Sequence, residues 1–247
     1  MNLTPSLTNN KKTNRESCSL CALSSLCLPS ALDEKMIVDL ETFISSGKPY
    51  LPKQNIYLQG EAFKALYVVK SGAAKTYLTN ANGHEHITGF YLPGEIFGLE
   101  SIAGRQYLNS AKALSDTRLC KINYQQLATL RKNNSSLTDW AINLFSQSLA
   151  SGHDFFNCLS QHTALSRLAT FILAISMRTS RTTTQQLVFS LPMSRQDIGN
   201  YLGLAPETTS RAFSKLVEQG CLKKRNKDIE IIDLPKLTEF SLLSGSN

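Results

Sequence analysis

From Pro49 to about Leu130 the chain alternates short apolar runs with turn residues. Leu66-Tyr-Val-Val and Lys75-Thr-Tyr-Leu-Thr are rich in strand-forming residues, and Lys70-Ser-Gly and Asn82-Gly supply turns between them. Ile87-Thr-Gly-Phe-Tyr-Leu, Gly94-Glu-Ile-Phe-Gly and Arg118-Leu-Cys-Lys-Ile-Asn continue the rhythm. Regular short strands separated by glycine turns predict a small barrel or jelly roll.

Near Asn134 the period changes. Leu137, Trp140, Ala141, Leu144, Phe145 and Leu149 recur at three- and four-residue spacing, the signature of an amphipathic helix. Phe155, Phe156 and Leu159 carry the apolar stripe past Gly152. The run of about 25 residues exceeds the average globular helix. A helix of that length can simply lie across its own barrel. Its aromatic content between two domains favours pairing with a second copy, through Leu137, Trp140, Leu144, Leu149, Phe155 and Phe156. A second helix is predicted from Ala164 to Met177, then a polar loop from Ser180 to Gln186, then a compact domain to about Leu234 with a tapering end.

Within that last domain, Ser194 is placed to N-cap a helix running through Ile198 and Leu202. Gly203 can end it in a left-handed conformation, and Pro206 suits the first turn of the next helix. Ile198, Leu202, Leu204 and Leu216 can form a small core, with Gly199 letting the two backbones approach. This is a helix-turn-helix pattern. Its second helix would present Glu207, Thr208, Ser210 and Arg211 to a major groove, where arginine can pair with guanine and glutamate with cytosine. Ser194, Thr208, Thr209 and Lys215 are candidates for phosphate contacts. Beyond Gly220, Lys223, Lys224, Arg225 and Lys227 sit on two strand-like arms. Alone they would read as a solvated hairpin; beside a helix-turn-helix they read as a basic wing.

The net charge of +7 favours an anionic partner without choosing between nucleic acid, membrane and acidic protein. No apolar run approaches the ~20 residues of a membrane span. Met1 to Arg15 lack the apolar core of a secretory signal, so a cytoplasmic protein is expected. In a reducing compartment the six cysteines point to metal or redox chemistry rather than disulfides. Cys18, Cys21 and Cys27 form a C-x2-C-x5-C run, and Cys120 lies far along the chain. Four thiolates suffice for zinc or for an iron–sulfur cluster. One knuckle, a distant fourth thiol and no nearby histidine lean towards iron–sulfur; zinc and unligated thiols stay open. Leu20, Leu23, Leu26 and Leu28 can shield such a site or pack the segment on the barrel. Cys158 and Cys221 read as buried thiols.

The combination resembles the CRP/FNR family of bacterial regulators, specifically its fumarate and nitrate reduction branch. The likeness runs from Cys18 to about Ile232. It is carried by the four cysteines, by Ile87-Thr-Gly-Phe and Gly94-Glu, by Asp197-Ile-Gly-Asn-Tyr-Leu-Gly-Leu and by Glu207-Thr-Thr-Ser-Arg. The resemblance implies an α+β fold: a cluster-binding segment (1–30), a β jelly roll of the cyclic-nucleotide-binding type (31–133), a dimerisation helix (134–160) and a winged helix-turn-helix domain (161–247).

It also implies a 4Fe–4S cluster on Cys18, Cys21, Cys27 and Cys120 of each subunit, and a homodimer when the cluster is loaded. Double-stranded DNA would be read by Glu207, Ser210 and Arg211 at a TTGAT…ATCAA-type palindrome, with RNA polymerase as protein partner. Oxygen would dismantle the cluster, loosen the dimer and abolish specific binding. Ala22, Gly152 and the His84/His86 pair depart from the family pattern. A cyclic-nucleotide regulator would need an arginine where Asn109 precedes Ser110-Ala111. A redox enzyme would need a second cofactor loop, and none is visible. A zinc-stapled or cluster-free regulator is the remaining alternative.

Overall fold

A computed structural model describes residues 18–27, 34–131, 135–180, 187–225 and 228–242. Residues 1–17, Leu28, most of the expected polar loop (181–186) and Lys227 of the expected basic wing lie outside the described residues.

Cys18–Leu20 makes one 3-10 turn, followed by α1 (Ser24–Cys27) and α2 (Glu34–Phe43). Eight strands follow: β1 (Ile44–Ser46), β2 (Asn55–Tyr57), β3 (Ala65–Ser71), β4 (Ala74–Thr79), β5 (Glu85–Tyr91), β6 (Ile96–Phe97), β7 (Ser110–Ala113) and β8 (Arg118–Asn123). They pair antiparallel into two four-stranded sheets, β1-β8-β3-β6 and β2-β7-β4-β5. The interior of this roll is filled by aromatic rings. Tyr57 stacks on Tyr107 with centroids 3.8 Å apart, and Tyr67 stacks on Phe97 at 5.5 Å.

A short helix α3 (Tyr124–Arg131) leads into α4 (Ser135–Ser160), 26 residues long. Leu137, Trp140 and Leu144 of α4 are buried with Leu40, Leu66, Ile122 and Leu127 of the same chain. This corrects the sequence expectation that they face a second copy: the three-four spacing marks an apolar face without naming what covers it. Phe155 is also engaged internally, its ring 4.5 Å from that of Tyr201. The outward apolar positions are Ile142, Phe145, Leu149 and Phe156. Two of these, Leu149 and Phe156, were among the expected set.

The C-terminal part contains α5 (Ala164–Ser180), β9 (Val188–Ser190), α6 (Arg195–Leu202), α7 (Pro206–Glu218), β10 (Leu222–Arg225), β11 (Asp228–Ile231) and α8 (Leu234–Leu242). The expected tapering end is instead a helix, because Leu237 is fully buried where α8 packs on α5. The three short strands form an antiparallel sheet in the order β10-β11-β9. One core joins the two halves: Tyr77, Ile87 and Phe90 of the roll lie with Leu168, Phe171, Ile172 and Tyr201. Among the described residues no helix is long and apolar enough to cross a membrane.

Candidate DNA-reading face and cysteine site

Local rules build the helix pair. Ser194 accepts a hydrogen bond from the Asp197 backbone N–H at 3.0 Å, and the Asp197 carboxylate accepts from the Ser194 N–H at 3.2 Å, closing a capping box. Gly203 ends α6 at φ 65°, and Pro206 opens α7. Ile198, Leu202 and Leu216 are fully buried between the two helices, with Leu204 packed at their edge. A Cβ on Gly199 would sit 2.7 Å from Thr209 Oγ1 and 2.9 Å from the Leu204 carbonyl oxygen, so the crossing is as close as glycine permits.

On α7, Glu207, Thr208, Ser210, Arg211 and Lys215 are exposed on one side. Thr209 is not. It is fully buried and its hydroxyl donates to the Ala205 carbonyl at 3.1 Å, which corrects its expected role as a phosphate contact. Ser194 is exposed, with its hydroxyl committed to Asp197. Lys223, Lys224 and Arg225 are exposed on β10, and Arg225 pairs with Glu230 at 2.6 Å.

A groove of about 450 Å³ between α7 and β10 is lined by Arg195, Ser210, Lys223 and Lys224. The Arg195 guanidinium lies over the Phe213 ring, 3.1 Å from its centroid, and burial pulls its pKa down to about 10. Sequence reasoning placed Arg195 in the helix and gave it no role. A cation immediately after the N-cap was the available signal.

Cys27 and Cys120 both pack at the edge of the side-chain cluster around Leu40, Leu66 and Ile122. Cys120 sits on β8, in register with Ser46 of β1 and Val68 of β3. The 18–27 segment folds against the turn before β6, where Cys27 Sγ approaches the Gly94 carbonyl oxygen at 3.9 Å. Leu26 packs on Gly94. Cys18 donates its backbone N–H to Glu41 on α2 at 2.6 Å.

Burial pushes the Cys18 thiol up to about 11, with Glu41, Cys120 and Cys21 adding to the effect. Burial raises Cys27 to about 12, reinforced by Cys120, Cys21 and Cys18. The four thiols therefore share one electrostatic neighbourhood. Among the described residues, however, no three His, Cys, Asp or Glu side chains are gathered closely enough to hold a single metal ion. Cys158 and Cys221 are buried elsewhere, within the C-terminal core.

Residues 48–134 match the cyclic nucleotide-binding domain family, and residues 166–240 match the Crp-like helix-turn-helix domain family. The transcriptional activator protein FnrA of Stutzerimonas stutzeri is 36% identical over 87% of this chain and 88% of its own length. The fumarate and nitrate reduction regulatory protein of Vibrio cholerae is 33% identical over 92% of this chain and 91% of its own. The solved structure of FixK2 from Bradyrhizobium japonicum superposes with a TM-score of 0.72 at 30% identity, covering 82% of this chain and 99% of that one. Fold and face together define a DNA-binding transcription regulator, not an enzyme. The chain belongs to the CRP/FNR family, in company with its fumarate and nitrate reduction regulators.

Proposed function

We propose that this protein is an oxygen-responsive, cytoplasmic transcription regulator whose Cys18, Cys21, Cys27 and Cys120 hold one 4Fe–4S cluster per subunit. The chemistry of the donor set fits: four partly buried thiols lie on the 18–27 segment and on β8, with burial and the neighbouring thiols raising Cys18 and Cys27. When bound, the cluster supplies an oxygen-labile cross-link between the 18–27 segment and β8. The single observation that carries the reading is the placement of Cys27 and Cys120. Both pack on the cluster of side chains that buries Leu137, Trp140 and Leu144 of α4. A change at the thiols therefore reaches the base of the helix whose outer face is apolar and exposed.

On this reading the outer face of α4 joins two copies, and each copy lays α7 in a major groove. Glu207, Ser210 and Arg211 read bases of a TTGAT…ATCAA-type palindrome, while Ser194, Thr208, Lys215, Lys223, Lys224 and Arg225 sit against the backbone. RNA polymerase is the protein partner. A ligand shifts a monomer–dimer equilibrium only through its different affinity for the two states, so the cluster must favour the dimer.

The test is anaerobic reconstitution, with absorption spectra, sedimentation and DNA binding recorded before and after air. An iron-dependent visible band, a dimer and tight binding to the palindrome, all lost in air, are expected. A colourless protein whose DNA affinity ignores oxygen overturns the sensing role. Cys120→Ser should abolish iron uptake; unchanged iron content removes Cys120 from the ligand set.

A further inference from the structure

The DNA-reading domain is fastened to the roll along one sheet edge. Strand β5 is the outer strand of its sheet. The Asn200 side chain of α6 closes on that edge as a rung of backbone would: its amide nitrogen donates to the Glu85 carbonyl at 2.7 Å, and its oxygen accepts from the Ile87 N–H at 2.7 Å. One turn earlier on α6, Asp197 accepts from Lys75 Nζ at 2.8 Å. Lys75 is only 8% exposed and bridges to Glu85 at 3.0 Å, while Lys112 holds the other oxygen of Glu85. Further along, Arg178 of α5 makes a two-pronged pair with Glu95, and its Nη2 also donates to the Phe90 carbonyl. The Phe90 and Tyr201 rings fill the space between, 4.9 Å apart.

Buried ion pairs add little net stability, because desolvation offsets their attraction, yet breaking one leaves an uncompensated charge. Such an interface resists sliding far more than it favours docking. The docked arrangement leaves Glu207, Ser210 and Arg211 exposed, so it does not block the reading face. Asp197 also completes the cap of α6, so the contact with Lys75 acts directly on the helix that carries α7.

We propose that Lys75 and Asn200 are positioning residues for half-site spacing. They hold the recognition helix at one place relative to α4, so that a dimer accepts palindromes of one length only. The length constraint on the DNA would then be set partly by the junction of Lys75, on the roll, with α6, away from the base-reading side chains. This rests on the dimeric reading proposed above. Half-sites stand about one helical turn apart, and one added base pair moves them by about 3.4 Å with a rotation. A rigid interface transmits that mismatch to the contacts; a loosened one absorbs it.

The test compares reconstituted full-length wild type, Lys75→Gln and Asn200→Ala on palindromes whose central spacer is correct, one base pair shorter or one longer. Asn200 is exposed, so its variant keeps the fold even where the lysine variant does not. Wild type should lose about tenfold or more in affinity, near 1.4 kcal/mol, on either altered spacer. The variants should discriminate between spacers by less than about threefold. In the DNA-free chain without iron, the Ile87 amide should exchange with solvent faster in Asn200→Ala. Variants that discriminate as sharply as wild type overturn the positioning role and leave the dimeric reading intact. A wild type indifferent to spacing overturns the dimeric reading itself.

Discussion

Gly199 and Thr209 meet at the crossing of α6 and α7, where a Cβ on the glycine would stand 2.7 Å from the threonine Oγ1. Thr209 is fully buried there, and the Leu204 carbonyl closes the other side at 2.9 Å. Gly199→Ala should therefore destabilise the C-terminal domain by about 1–3 kcal/mol, the usual range for overpacking. Adding Thr209→Ala should recover part of that loss, because it removes one of the two obstructing oxygens. Chemical denaturation of the four proteins in the cycle measures the coupling. Strict additivity would show that the two residues do not share the strain.

Much of this crossing was legible in the sequence because capping boxes, left-handed glycines and prolines at first turns are local rules. Burial of Thr209 was not, since it depends on the hole left by Gly199 on the other helix. The helices α2, α3 and α8 were missed for a related reason. Their buried anchors, Leu40, Leu127 and Leu237, lie in helices of only 10, 8 and 9 residues, too short for a three-four period to repeat, and tertiary packing decides which apolar residue becomes core. On α4 the same three-four period serves an inner stripe and an outer one, so periodicity found the helix and misassigned its faces. The pair Lys75–Asp197 spans 122 positions, beyond any local pattern.

Gly94 is the seat of the cysteine segment. It adopts φ +88°, and a Cβ there would come within 2.8 Å of Leu26 Cδ1. Gly94→Ala should thus strain the turn by about 1–2 kcal/mol before any clash is counted. That corresponds to a factor of about 5–30 in a local equilibrium. Because Cys27 lies against the Gly94 carbonyl, the proposed cluster site should assemble less well. Iron content per chain after anaerobic reconstitution is the measurement, with Leu26→Ala as partial rescue. Full iron content in Gly94→Ala would separate the docking of this segment from cluster binding.

The Lys75 junction carries a pH signature. Burial alone would raise the Asp197 carboxyl, but hydrogen bonds from Lys75 and Ser194 outweigh it and hold it below 3.8. Glu85 is likewise opposed by burial and held below 4.5 by Lys112 and Lys75. Burial pulls the Lys75 ammonium down, yet Asp197 and Glu85 prevail and leave it above 10.5. Depressed carboxyls contribute stability that is fully present above their unfolded values and lost as pH falls through the folded ones. The raised lysine contributes below its unfolded value and loses that only in strong alkali. The thermal-midpoint gap between wild type and Lys75→Gln should therefore be widest near neutrality and close progressively below about pH 4. A gap that stayed constant into acid would show that the carboxylates gain nothing from this lysine.

Two faces of α4 predict two different phenotypes. Leu137 is fully buried against its own roll, so Leu137→Ala should cost about 2–5 kcal/mol of folding stability, as core truncations do. Leu149 is 68% exposed, on a stripe with Ile142, Phe145 and Phe156, so Leu149→Glu should leave the monomer's stability within about 0.5 kcal/mol. Placed in the seam of the proposed dimer, however, its carboxylate would face its own copy, and like charges across an interface oppose association. Sedimentation of the reconstituted protein should then show monomers over a concentration range where wild type is dimeric, with specific DNA binding weakened in step. If Leu149→Glu dimerised as wild type does while Leu137→Ala lost its dimer without losing stability, the assignment of the two faces would be inverted.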